Sequence, residues 1–181
     1  TERLQIKRLP SSYAQMVRDF YLRNAPYFEP YELTRPKNFY NISFQTSMLD
    51  WEWKEMDAFH CLRYFLFLKE NPSYILGTVN LSNIRMGCLK SGSMGYKIDH
   101  TFWHHGYATE ACRFLLDILF REYQLHRIEA EIMPSNQDSI HVIEALGFSY
   151  EGLEREAAEI NGARQNLLLF SKLNPYTNSA I

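Results

Sequence analysis

The residues best suited to chemistry lie in one run, Asp99-His100-Thr101-Phe102-Trp103-His104-His105-Gly106-Tyr107-Ala108-Thr109-Glu110-Ala111. An apolar strand pattern ends just before it, and a strongly periodic helix begins inside it. The first amides of a helix have no acceptor within the helix, and the helix dipole adds partial positive charge there. Such a start binds anions, phosphates above all. Gly106 lets a bulky anion come close to the backbone. A diphosphate is the natural guest; an ordinary strand-to-helix turn that contains a glycine is the alternative. His100, His104 and His105 cluster here, but a zinc site needs three or four ligands of suitable geometry. No cysteine accompanies them, so no metal is expected, and they read better as donors beside phosphates.

Two further places carry candidate groups. Asn136 and Ser139 stand three residues apart where another strand pattern gives way to a helix, and the Ser139 hydroxyl is either a proton donor or a group bonded to its own backbone. The aromatic-rich segment Pro26-Tyr27-Phe28-Glu29-Pro30-Tyr31-Glu32 offers the carboxylates Glu29 and Glu32 to a cationic amine, or else is an apolar loop with exposed acids.

The elements that must hold these groups follow from periodicity. Residues 2–9 alternate and predict a strand. Ser12 and Gln15 form a capping-box pattern ahead of a helix that ends near Asn24. Ala25 to Pro36, with its three prolines, reads as an ordered loop. Thr46 to Phe59 predicts a second helix, with Trp51 and Trp53 facing different ways. Residues 61–68 and 74–84 read as a hairpin, and Ser93 to Ile98 as a shorter strand. Ala108, Ala111, Cys112, Leu115, Leu119 and Phe120 recur at helical steps, the strongest helix in the chain. His126 to Met133 alternates as a strand. Ser135 to Leu146 predicts a helix ended by Gly147 as a left-handed cap. Asn161-Gly162 between two strand-like runs is a hairpin signal. The order is β-α-α-β-β-β-α-β-α-β-β, with one βαβ unit from Ser93 to Met133. Ligands of such units sit at the carboxyl ends of the parallel strands.

Composition bounds the function. The chain has 181 residues, 46% hydrophobic and 22% charged, with a formal net charge of -2. One core is the default at this length. There is no apolar run long enough for a membrane span. There is no basic excess for binding nucleic-acid phosphates. Cys61, Cys88 and Cys112 are odd in number and widely spaced, so a reducing, cytoplasmic setting is the simplest reading.

The helix-start run resembles a known family. Gly106-Tyr107-Ala108-Thr109-Glu110-Ala111, with the strand before it and the helix after it, is similar to the acyl-CoA loop of the GCN5-related N-acetyltransferases (GNAT). Asn136 to Ser139 with Leu146-Gly147-Phe148 resembles the family's second CoA segment. Tyr21-Leu22-Arg23-Asn24, Phe28-Glu29-Pro30-Tyr31-Glu32, Asn80-Leu81-Ser82-Asn83-Ile84, Met94-Gly95-Tyr96, His126-Arg127-Ile128 and Met133-Pro134-Ser135-Asn136 resemble ribosomal-protein-alanine N-acetyltransferases of the RimJ/RimL type. The likeness spans nearly the whole chain. In the loop, Trp103 stands where the family has Gln or Arg, which removes a polar side chain that steadies it. His104 replaces a glycine.

The resemblance implies a mixed α/β fold: a twisted, mostly antiparallel sheet of about seven strands, one parallel βαβ unit and about four helices. It implies one acetyltransferase domain over residues 1–175, with 176–181 a frayed tail. Acetyl-CoA is the implied co-substrate, gripped by His104, His105, Gly106, Tyr107, Ala108, Thr109, Asn136 and Ser139, with the amide near Ile98 facing the developing oxyanion. Ser139 matches the acid of RimL-like relatives. Their base position holds Ala158 here, so Glu156 is the substitute. Tyr31, Glu32 and Asn83 fall on the acceptor side. The acceptor is a protein or peptide N-terminus, or a small amine; the enzyme would be a monomer or homodimer. A CoA-binding protein without catalysis is the third reading.

Overall fold

Alternating apolar residues make strands with one face for each of two helical layers. The computed structural model describes residues 1–177 in this way. The elements are β1 (Leu4–Lys7), α1 (Ala14–Phe28), α2 (Ile42–Asp57), β2 (Leu62–Leu68), β3 (Gly77–Arg85), β4 (Ser91–Ile98), α3 (Tyr107–Arg121), β5 (Arg127–Ile132), α4 (Gln137–Ala145), β6 (Ser149–Ile160) and β7 (Ala163–Leu173). One seven-stranded sheet runs β1-β2-β3-β4-β5-β7-β6. Only its central pair, β4 and β5, is parallel. The expected element order and mixed sheet are therefore present.

On one face α3 and α4 bury Cys112, Leu115, Leu119 and Ile143 against Leu66, Leu81 and Ile128. On the other, α1 and α2 bury Val17, Phe20 and Leu49 against Phe65, Phe67 and Ile75. Each such side chain taken fully out of water contributes about 1.5–3 kcal/mol. The α3 stripe works because its apolar residues recur at three- and four-residue steps.

The feature that matters for function is a gap in the sheet. β4 and β5 pair only at Ser91↔Arg127, Gly92↔Ile128 and Ser93↔Glu129. Beyond Ser93 the two strands part. β5 stays in the sheet through β7, from Arg127↔Leu173 to Ile132↔Leu168. β4 stays in it through β3, to Gly77↔Ile98. The result is a wedge-shaped opening at the carboxyl ends of the parallel pair, where α3 and α4 begin.

Several local expectations change. No Ser12 cap forms: Ser11–Tyr13 is a 3₁₀ turn, and the helix has no side-chain cap. Gln15 donates instead to Asp19. α1 passes Asn24 and carries Pro26 within its last turn, ending at Phe28. A residue before proline resists helical geometry, but Phe20, Asn24 and Phe28 fall four apart on the buried face, and Phe28 packs 5.5 Å from the Phe20 ring. Burial outweighs the local preference. α2 starts at Ile42, a turn before Thr46, because buried Gln45 ties itself to the Phe39 carbonyl. Trp51 and Trp53 are both substantially exposed.

The Gly147 and Asn161-Gly162 readings hold. Gly147 has φ +79°. Its amide donates to Glu144, and that of Phe148 to Ile143, the paired bonds of a Schellman end. Asn161 and Gly162 have φ +52° and +73°, which suits a two-residue hairpin turn. Tyr176, placed in the expected tail, is held: its hydroxyl donates to Asp117, and Arg121 lies 3.8 Å over its ring. Residues 178–181 lie outside the described residues.

Candidate active site

The opening between β4 and β5 leads to the start of α3. Gly106 precedes that helix at φ +77°, in the left-handed region, and no side chain caps it. The first helical bond is from the Glu110 amide to the Gly106 carbonyl. The amides of Tyr107, Ala108 and Thr109 are thus the orphan donors of the first turn. His104 is also left-handed, at φ +60°, a conformation few non-glycine residues adopt.

The loop is braced from three sides. The Trp103 indole N–H donates to the Ile98 carbonyl at 2.8 Å, so tryptophan supplies the polar tie whose loss its presence suggested. The His105 ring lies 2.7 Å from the Trp103 carbonyl. Arg3, just before β1, donates to the His105 carbonyl at 2.9 Å.

The end of β4 is fixed by a residue that sequence patterning passed over. Asp99 is fully buried. One carboxylate oxygen accepts from Arg23 Nε at 2.5 Å, Asn24 Nδ2 at 3.0 Å and the Tyr74 hydroxyl at 2.8 Å. The other accepts from the Thr101 amide and hydroxyl. Burial alone would raise its pKa; the bonds from Asn24, Arg23 and Thr101 outweigh that and hold it below the usual carboxylate range. The Asp99 amide donates to Leu76. Antiparallel pairs alternate between bonded and non-bonded, so the neighbouring pair Gly77↔Ile98 is non-bonded. The Ile98 amide therefore points away from β3, into the opening.

Ser139 lies in the first turn of α4. Its amide donates to Asn136 Oδ1 at 3.2 Å, so Asn136 caps this helix and leaves the Ser139 hydroxyl free of that task. Across the opening, burial pushes the Tyr96 phenol up, with Ser139 facing it. The Tyr96 oxygen is buried with no hydrogen-bond partner. Ser139 is thereby brought near Tyr96 of β4, two residues before Ile98.

On the opposite face, Glu32 is bound by Arg35 at 2.6 Å and by Lys97, the neighbour of Ile98, at 2.9 Å. Burial opposes its charge, but Lys97 and Arg35 prevail and its pKa falls. Glu29 accepts from the Tyr40 hydroxyl, whose own pKa burial and Glu29 push up to about 12. Tyr31 is exposed beside them. The hairpin tip reaches this segment, with Asn161 Nδ2 3.4 Å from the Glu29 carbonyl. Asn83 is elsewhere. It sits in a β3 bulge at φ +50° against Ser93, roughly 16 Å up β4 from Ile98 at about 3.3 Å per residue. Glu156 is exposed in a β6 bulge at φ +50°, its amide donating to Asn166. The register shifts between Glu154 and Ala158, so the period-two relation of Glu156 to Ala158 does not carry through. No group of three or more His, Cys, Asp or Glu is placed to hold a metal among the described residues. Nor is any helix among them long and apolar enough to cross a membrane.

A family model described as an acetyltransferase (GNAT) domain matches residues 3–149. The chain belongs to the GNAT acetyltransferase family. It is an N-acetyltransferase, and GNAT enzymes draw their acetyl group from acetyl-CoA. The chain is 33% identical over 152 residues to the probable N-acetyltransferase YjcK of Bacillus subtilis, covering 84% of this chain and 83% of that one. It is 27% identical over 178 residues to the [ribosomal protein uS5]-alanine N-acetyltransferase of Escherichia coli, covering 97% and 90%. The crystal structure of the ribosomal-protein-S5-alanine acetyltransferase from Vibrio fischeri superposes with a TM-score of 0.92 at 29% identity, covering 98% and 97%.

Within this GNAT fold, four residues near the opening escaped sequence reasoning: Arg3, Asp99 as a brace, Tyr96 and Glu131. Glu131 was readable from alternation. Ile128, Ala130 and Ile132 are buried, so Glu129 and Glu131 must share the other face. Glu131 lies where β5 has left β4, and burial, then Glu154 and Glu129, raise its pKa.

Proposed function

We propose that this N-acetyltransferase moves the acetyl group of acetyl-CoA to the N-terminal α-amine of a protein of the ribosomal-protein kind, with residues 1–175 acting as one domain. The observation that carries the donor site is the uncapped start of α3 at the mouth of the β4–β5 opening. Its amides from His105 to Thr109 suit the diphosphate, and the opening suits the thin pantetheine arm. Asn136 and Ser139 border the same channel. For the acceptor, support comes from likeness over nearly the full length to uS5-alanine acetyltransferases. The carboxylates Glu131 and Glu154 beside the opening add a field that draws a cationic chain end, whereas Glu129 is matched by Arg85 and Arg127. Tyr31 and Glu32 form the acceptor rim.

In this reading the neutral amine attacks the thioester carbonyl. The Ile98 amide donates to the oxyanion, which costs no reorganisation because the strand already holds it. Collapse breaks the carbon–sulfur bond, and Ser139 gives its proton to the thiolate. The amine gives up its proton to water along the exposed β6 bulge, where Glu156 is the carboxylate positioned to receive it from that water. A thiolate is a good leaving group, near pKa 8.5 as a free thiol, so proton donation helps only modestly. Ser139→Ala is expected to lower kcat about tenfold with little change in KM; wild-type kcat would remove Ser139 from the reaction.

The acceptor is tested by incubating the enzyme and acetyl-CoA with short peptides beginning Ala or Ser, alongside polyamines and aminoglycosides, and weighing the products. Acetylation of the peptide α-amine is expected. Turnover confined to the small amines would replace the protein acceptor with a small-molecule one. CoA binding without turnover on any of them would leave a non-catalytic binding protein.

A further inference from the structure

Arg3 holds the back of the α3 start through more bonds than its surface position requires. Its Nε meets Glu110 Oε2 at 2.6 Å, its own amide donates to Glu110 Oε1 at 3.0 Å, and its Nη1 donates to the His105 carbonyl at 2.9 Å. The guanidinium lies 4.4 Å over the Tyr107 ring. Its Nη2 lies 3.6 Å from where a Gly106 side chain would begin. The side chain is nonetheless 44% exposed, so core packing does not account for this arrangement.

We infer that Arg3 is a positioning residue for the diphosphate of the donor, acting through the loop rather than on the ligand. The inference rests on the donor site proposed above. Two physical effects follow from the bonds. First, in a trans peptide the carbonyl and the next amide point in opposite directions, and no peptide among the described residues is cis. By holding the His105 carbonyl toward the β1 edge, Arg3 turns the Gly106 amide away from that edge. In the sheet order that direction leads across to β4 and β5, where the opening lies. Second, Glu110 is a carboxylate in the first turn of the helix that must receive an anion. Burial opposes its charge, but bonds from Thr1 and from the Arg3 amide and side chain lower its pKa, so it is ionised. Unpaired, it would repel the diphosphate and offset the helix dipole. Arg3 neutralises it on the side away from the ligand. Only a planar fork can serve the carbonyl and the carboxylate together.

The test is CoA affinity by calorimetry on the full chain, with a thermal melt of each variant. Arg3→Ala is expected to bind CoA about tenfold more weakly, about 1.4 kcal/mol, within the range for a partly buried charge at a helix start. Arg3→Lys, which keeps charge but not the fork, is expected to fall between the two. The double variant Arg3→Ala/Glu110→Gln is expected to recover to within about threefold of wild type, which a general loosening of β1 would not produce. Wild-type affinity in Arg3→Ala, or a double variant no better than Arg3→Ala, would overturn the role of Arg3. Failure of the wild-type chain to bind CoA would instead overturn the donor site itself.

Discussion

Replacing Asp99 by alanine is expected to destabilise the fold by about 3–5 kcal/mol, the cost of leaving one partner of a buried ion pair alone. Against a total of roughly 5–15 kcal/mol for a domain, that leaves the protein marginal. The size of the effect comes from the number of donors that lose their acceptor at once. Arg23, Asn24, Tyr74 and the amide and hydroxyl of Thr101 all converge on this one carboxylate. Asp99→Asn, which keeps the shape and one acceptor oxygen, should cost about half as much. In urea the midpoint should fall while the slope stays constant; an unchanged midpoint would mean that the network contributes nothing net. The same network predicts acid sensitivity. The folded pKa of Asp99 lies below its unfolded value, so the stabilisation is full above about pH 4. It is lost progressively as pH falls from there through the folded pKa. Asp99→Asn should flatten that acid limb. Because Asp99 follows Ile98 directly, slackening it also frees the strand end that carries the proposed oxyanion donor.

Gly106→Asp is expected to weaken CoA binding about hundredfold, or about 2.7 kcal/mol, while lowering stability by no more than about 1–2 kcal/mol. The reason differs from simple obstruction. A side chain at residue 106 would start toward Arg3, 3.6 Å from its Nη2, not toward the opening. If the backbone kept φ +77°, aspartate would bear strain of about 1–2 kcal/mol and would draw Arg3 off Glu110 and His105. If the backbone relaxed to the extended form, the new carboxylate would cap α3 and accept from the amides of Ala108 or Thr109. Those are donors that the diphosphate requires. In the first case the loop loses its brace, and in the second its amides are occupied. Calorimetry with CoA, paired with a thermal melt, checks this. Wild-type affinity in a folded variant would mean that the start of α3 is not the diphosphate site.

Sequence by itself determined the pieces whose physics is local. Helical steps from Ala108 to Phe120, the alternation of β5, the glycine at the end of α4 and the Asn161-Gly162 turn each depend on residues a few positions apart. So does the proposed donor site, because orphan amides at a helix start follow from the helix alone. Resemblance across several short segments added the family. The first helix shows where locality fails: Pro26 argues against helix, and the burial of Phe28 against Phe20 overrules it.

What only the tertiary structure decided involves partners far apart in the chain. Arg3 meets Glu110 across 107 positions, and Arg23 meets Asp99 across 76. Neither pairing leaves a periodic trace. Glu32 looked free to attract an amine, yet Arg35 and Lys97 already match its charge. Glu156 looked aligned with Ala158, yet a bulge interrupts the strand between Glu154 and Ala158. The parting of β4 from β5 is likewise invisible in either strand, since it is a property of the pair. Side-chain periodicity says which face a residue occupies; which other face it meets is set by strand order and register.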